Sequence, residues 1–182
     1  VAINAASNRR VFEIEPEGDD PITVAISGLT IQGGQAFGTD ENAGRGGGVL
    51  NNGGNLTLTE VIVVGNQANY GGGIFNAAGT LTVQRSLVQN NTANNGGGIM
   101  NGVPDDGDGG GTTEGPPPVT RIVSSTITGN EANTGFGYGG GVFNRQGRMD
   151  VLQSTIVDNI AYLGSGLASW GNPLPEAAEE GA

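Results

Sequence analysis

Four glycine triplets, each followed by an aliphatic residue and, two places further on, an asparagine, constrain this chain more than anything else in it. They read GGGVLN at Gly46–Asn51, GGGIFN at Gly71–Asn76, GGGIMN at Gly96–Asn101 and GGGVFN at Gly139–Asn144, with GSGLAS at Gly164–Ser169 as a degenerate fifth copy. The starts lie 25, 25, 43 and 25 residues apart. A second landmark, the alanine of GNQA, NNTA, GNEA and DNIA, falls at Ala68, Ala93, Ala132 and Ala161, and Ala36 fits the same series. Comparing the two landmarks places the extra residues of the long interval mainly in GVPDDGDGGGTTEGPPP (102–118), and the rest just after Ala132. A further insertion, FGTDENAGR, precedes the first triplet. One 25-residue unit therefore repeats, with insertions at two fixed places.

Inside each unit the apolar residues alternate with period two. Aligned, they form the columns Val24/Leu56/Leu81/Thr120/Met149, Ile26/Leu58/Val83/Ile122/Val151, Leu29/Val61/Ser86/Ser125/Ser154, Ile31/Val63/Val88/Ile127/Ile156 and Val49/Ile74/Ile99/Val142/Leu167. Such a unit reads as three short strands with one buried face, separated by turns rich in Gly and Asn. No stretch carries a helical period with caps. Three short strands cannot bury an apolar face alone, but stacked units share one continuous core, which predicts a parallel β-solenoid rising about 4.8 Å per turn. Glycines at 46, 71, 96, 139 and 164 then supply the left-handed turn of each coil. Asn51, Asn76, Asn101 and Asn144 form one expected ladder of stacked carboxamides, and Asn66, Asn91, Asn130 and Asn159 a second.

Composition narrows the partners. Net charge is -11, from 18 acidic residues against seven arginines, with no lysine, histidine or cysteine. An acidic surface repels phosphate backbones and anionic lipids, so nucleic acid is not an expected partner. No apolar run reaches the length of a membrane span, and no membrane insertion of this segment is expected. Without cysteine there is no disulfide frame, thiol nucleophile or zinc-thiolate site. The chain starts at Val1, which suggests processing or truncation upstream.

The segments NRRVFEIEP, VAISGLTIQGGQA, GGGIFNAAGTLTV and STITGNEA resemble the right-handed parallel β-helix repeats of large bacterial surface and secreted proteins. The polymorphic outer-membrane-protein type, with its Gly-Gly-aliphatic and Asn signatures, lies within that group, as part of the pectate-lyase-like superfold. The resemblance covers roughly residues 1 to 170. It implies an all-β fold, a single right-handed parallel β-helix of about six coils over residues 1–170, with 171–182 as an acidic tail or linker. It also implies an extracellular or cell-surface setting, and RVFEI suggests that the chain begins inside a solenoid.

Candidate sites follow from side-chain chemistry. Asp105, Asp106 and Asp108, with Glu114, put oxygen ligands on a glycine-rich loop and are the one candidate calcium set, although a solvated loop closed by Pro116–Pro118 accounts for them more simply. No other cofactor is expected. Glu13 and Glu15 share a strand face about 7 Å apart, a spacing compatible with glycoside hydrolysis, but exposed strand carboxylates are far commoner than catalytic pairs. Arg85, Arg121, Arg145 and Arg148, or Tyr70, Tyr138 and Tyr162, are the available bases for a lyase. Arg85 and Arg121 fall in different columns and read as surface residues. Tyr70, Tyr138 and Phe136 just precede glycine triplets, where they line a strip suited to sugar stacking or, the preferred reading, cover a corner of the solenoid. The threonine pair Thr57/Thr59 does not continue through its columns, so an ice-binding array is not indicated.

No catalytic constellation emerges, and an enzyme is not expected. The expectation is a structural or adhesive extracellular element, such as a stalk, fibre or filament subunit, that self-associates through its ends or continues into additional coils. The insertions at 37–45, 102–118 and 134–138 would be its recognition surface. The alternative is a module that binds or degrades polysaccharide through a lateral groove.

Overall fold

A computed structural model describes residues 1–6, 8–18, 20–38, 43–102, 116–133 and 135–171. The expected calcium ligands Asp105, Asp106 and Asp108 and the tail 172–182 lie outside them.

The described chain is all strand and turn, wound into a parallel β-solenoid of about five full turns. One sheet stacks six short strands: Ala2–Asn4, Thr30–Gln32, Ile62–Val64, Leu87–Gln89, Thr126–Thr128 and Thr155–Val157. A second stacks the dipeptides Gln35–Ala36, Gln67–Ala68, Thr92–Ala93 and Glu131–Ala132. The third and largest is built on two eleven-residue strands, Val49–Thr59 and Ile74–Gln84. In the outer coils the same path is split in two, as in Ile99–Gly102 with Val119–Val123, and Val142–Arg145 with Arg148–Leu152. The sequence 102–118 falls at this break, and the strands on either side of it keep their pairing.

The strand pairings place four of the five aligned apolar columns in register from coil to coil. The fifth, Leu29/Val61/Ser86/Ser125/Ser154, runs through the first corner and continues as a hydroxyl ladder. Val61 N–H donates to Ser86 Oγ, Ser86 N–H to Ser125 Oγ, and Ser125 N–H to Ser154 Oγ, each at 3.1 Å. The interior is a single apolar column containing Leu56, Leu58, Val63, Ile74, Leu81, Val83, Val88, Ile99, Ile122 and Ile127, all sealed from solvent.

Both asparagine ladders are present. Asn51 Nδ2 donates to Asn76 Oδ1 at 2.8 Å, Asn76 to Asn101 at 2.9 Å and Asn101 to Asn144 at 2.8 Å. In the second ladder Asn66 Oδ1 accepts from the Gly34 N–H at 2.8 Å, and each later Oδ1 takes two bonds from the preceding coil. Asn91 Oδ1 accepts from the Asn66 backbone N–H and from Asn66 Nδ2, both at 3.0 Å, and Asn130 and Asn159 repeat the arrangement. Buried amides cost free energy unless paired, and here each is satisfied only when its neighbour stands directly above or below. The ladders therefore fix register as well as stability.

The glycine triplet turns out to do three jobs rather than one. The first glycine is left-handed, with φ between 62 and 64° in all five coils. At the second, a Cβ on Gly72 would collide with the carbonyl oxygens of Thr92 and Gly97 in the next coil. At the third, a Cβ on Gly73 would lie 2.6 Å from Gly98 O and against Asn91 of the ladder. Left-handed turns elsewhere do not need glycine: Glu60, Arg85, Ser124 and Gln153 carry φ of 47–53° at the first corner of successive coils.

Candidate functional site

The residue after each aliphatic rung points outward, away from the core, and yet it is apolar: Leu50, Phe75, Met100 and Phe143, with Ala168 in the last coil. These side chains form a second, external cluster with Ala77, and Leu50, Phe75 and Met100 are fully buried. What buries them is the residue just ahead of each triplet. Arg45, Tyr70 and Asn95 bridge one to the next along a column, as do Tyr138 and Leu163. Tyr70 and Tyr138 pack over the cluster, and the Arg45 guanidinium sits 5.6 Å from the centre of the Phe75 ring. Tyr70 and Tyr138 thus cover a solenoid corner, as the sequence suggests.

The cover is incomplete at the C-terminal end. Tyr138 stacks on Phe143 at 5.7 Å and 25°, and Trp170 tilts against Tyr138 at 4.5 Å and 47°. Between them and Tyr70 lies a lateral cavity of about 200 Å³, lined also by Asn95, Met100 and Arg145. Arg145 is buried, and Trp170 is the residue paired with it one coil further on. Asn95 is held in place because its Oδ1 accepts the Tyr138 N–H at 2.9 Å. Among the described residues no carboxylate lines the cavity, on a chain of strongly negative charge.

The other candidates are scattered. Glu13 pairs with Arg10 at 2.8 Å, and Glu15 accepts from Asn52 Nδ2 at 3.1 Å; both carboxylates are exposed. Burial pushes the Arg10 guanidinium below its ordinary pKa, against the opposing attraction of Glu13 and Glu15. Arg85 pairs with Glu60 at 3.0 Å, while Arg121 and Arg148 converge on Asp150 at 3.2 and 3.4 Å. The Arg85–Glu60 and Arg121–Asp150 pairs cross coils and Arg148–Asp150 lies within one strand; all are surface pairs, worth about a few tenths of a kcal/mol each. Tyr162 meets exposed Phe136 edge-on at 5.5 Å, away from the cavity lining. Among the described residues no group of three or more acidic side chains gathers as a metal site.

The sequence reading reached Tyr70, Tyr138 and Arg145 but not the external cluster, Asn95 or Trp170. The available signal was that the outward place after each rung is apolar in five successive coils. The chain matches no protein-family model, no curated protein and no solved structure.

Proposed function

We propose that this chain is a structural β-solenoid element, extended at its C-terminal end by a further parallel coil. The observation that carries this is the contrast along single columns. Val142 and Ile122 are fully buried, whereas Leu167 and Val151, one coil later, are 41% and 37% exposed. Among the described residues, eight of the thirteen exposed large apolar side chains lie beyond residue 150. An edge that combines apolar surface with unpaired backbone groups invites another strand.

The same edge selects what can dock. Ser165 stands in the column of Gly47, Gly72, Gly97 and Gly140, where the next triplet's carbonyls leave no room for a Cβ. A further triplet coil would meet Ser165. The first coil of a second copy has Arg9, Arg10 and Val11 in the triplet columns, and its left-handed residue is Asn8, one place earlier. Continuing the register head to tail sets Ile156 opposite Ile3 and Leu167 opposite Phe12, while Met149 and Val151 end one rung below Ile156 and Leu167. Both of these inward pairs are apolar.

The bacterial surface or secreted setting, the polymorphic outer-membrane-protein type of repeat and an adhesive use of the insertions belong to this proposal, and rest on the resemblance of the repeat. Light scattering during size-exclusion chromatography tests the stacking. Mass should rise with concentration in steps of the 18.2 kDa chain, and Leu167→Asp should hold it at one step. A single mass at every concentration, unchanged in that variant, would count against head-to-tail docking.

A further inference from the structure

Separately from stacking, we infer that the lateral cavity at Tyr70, Tyr138 and Trp170 is a binding site for one pyranose ring of a neutral glycan. Three properties point to this ligand class. First, the walls are aromatic faces held rigidly: Tyr138 is fixed by its stack on Phe143 and by Trp170 leaning against it. Amphipathic aromatic rings of this kind offer an apolar surface to the C–H face of a sugar while keeping a polar edge for its hydroxyls.

Second, residues lining the same space carry hydrogen-bonding groups that are not used elsewhere in the described chain. The Tyr70 and Tyr138 hydroxyls have no described partner, and Asn95 spends its Oδ1 on the Tyr138 N–H and keeps its Nδ2 hydrogens. Phenols both donate and accept and a carboxamide NH₂ donates, so the set suits hydroxyl groups better than a purely apolar or purely anionic guest. Third, size and charge restrict the guest. A volume of about 200 Å³ corresponds to roughly seven waters at liquid density, which is room for one six-membered ring rather than a peptide segment. The net charge of -11 disfavours the approach of a polyanionic chain, even with Arg145 in the lining.

The site spans three successive coils, with Tyr70, Asn95 and Tyr138 each supplied by the position ahead of a triplet. The repeat that builds the solenoid thus builds the cavity, and the distinguishing residue is Trp170. It stands where the preceding coils carry Ala77, Gly102 and Arg145.

Trp170 is the only tryptophan of the chain, so its emission reports on the cavity directly. The test is a fluorescence titration of the full chain, below the concentration at which scattering detects association, so that stacking and sugar binding are judged apart. The probes are neutral hexasaccharides of glucose, mannose, galactose and N-acetylglucosamine, and hexagalacturonate as the acidic comparison; calorimetry is run in parallel on each. At least one neutral probe is expected to bind saturably with Kd at or below about 1 mM. The paired variants Tyr70→Phe and Tyr138→Phe, which keep the packing and remove only the hydroxyls, should weaken it about three- to tenfold each. Phe136→Ala, outside the cavity, should leave it unchanged. Absence of saturable binding to every neutral probe by both methods, binding of hexagalacturonate alone, or binding indifferent to the two hydroxyl deletions would overturn the assignment.

Discussion

Gly140 and Ser165 occupy one column, a single coil apart, and obey different rules. A Cβ at Gly140 would strike the carbonyl oxygens of Ile160 and Ser165 in the coil that follows, whereas Ser165 carries its Cβ without conflict. The first glycine of the triplet does not change in the same way. Gly139 and Gly164 both have φ of 64°, and for both the obstacle to a side chain is their own coil: the Val142 and Leu167 carbonyls, with Phe143 and Ala168. The difference separates two constraints that look identical in a sequence. The first glycine is demanded by the turn, the second by a neighbour. Where the neighbour is missing from the described stack, the second demand lapses and the first remains.

The two other columns that end here behave alike. Val142 is sealed and Leu167 open; Asn144 receives Asn101 Nδ2 at 2.8 Å, while its own Nδ2 donates to Gly147 O in its own coil at 2.9 Å and, in the following coil, to a serine hydroxyl, Ser169, at 3.2 Å in place of a carboxamide. At the other end of the first ladder Ile14 stands in the asparagine column, and Asn51 Oδ1 turns to the Gly54 N–H at 3.1 Å instead.

Same-column substitutions sharpen this comparison. The largest expected difference is at the second glycine. Gly72→Ser should cost at least about 4 kcal/mol or prevent folding, since backbone on two sides must move. Ser165→Gly should change the melting free energy by less than about 1 kcal/mol. Equal effects at the two positions would break the account. Next is the inward rung: Ile99→Ala should cost about 2 to 5 kcal/mol in denaturant unfolding through the cavity it leaves, and Leu167→Ala under about 1 at concentrations where the chain is monomeric. Third, Asn101→Ala removes a carboxamide that accepts from Asn76 and Thr120 and donates to Asn144. It should cost about 2 to 3 kcal/mol through the buried groups left unpaired, against about 0.5 for Ser169→Ala.

The smallest effect is expected at the first corner. Ser124 has φ of 48° and lies exposed, so Ser124→Gly trades left-handed strain against unfolded-chain entropy and should stay within about 1 kcal/mol of the parent. A loss there as large as that from Gly72→Ser would mean that conformation rather than close approach governs the turns.

Much of the fold was legible because the repeat is nearly exact in length. A 25-residue spacing places equivalent residues above one another, and the pairing of Leu56 with Leu81, or of Ile74 with Ile99, follows at once. The corner at Glu60 and Arg85 was not legible, because an exposed left-handed residue leaves no compositional mark when space is free. The external cluster was missed for another reason. Period-two alternation puts Phe75 and Met100 on the outside, and only the fold-over of Tyr70, Tyr138 and Arg45 turns that outside into an interior. Trp170 belongs to the last coil, where the triplet is degenerate, and a pattern drawn from the regular coils passes over it.

The claim on which most depends is that the open C-terminal rung receives another coil. Electron microscopy of the chain across a concentration series tests it most directly. The account expects filaments with an axial repeat of about 29 Å, six rungs at about 4.8 Å each, that are lost in Leu167→Asp. Discrete particles one solenoid long at every concentration, identical in the parent and in that variant, would contradict it.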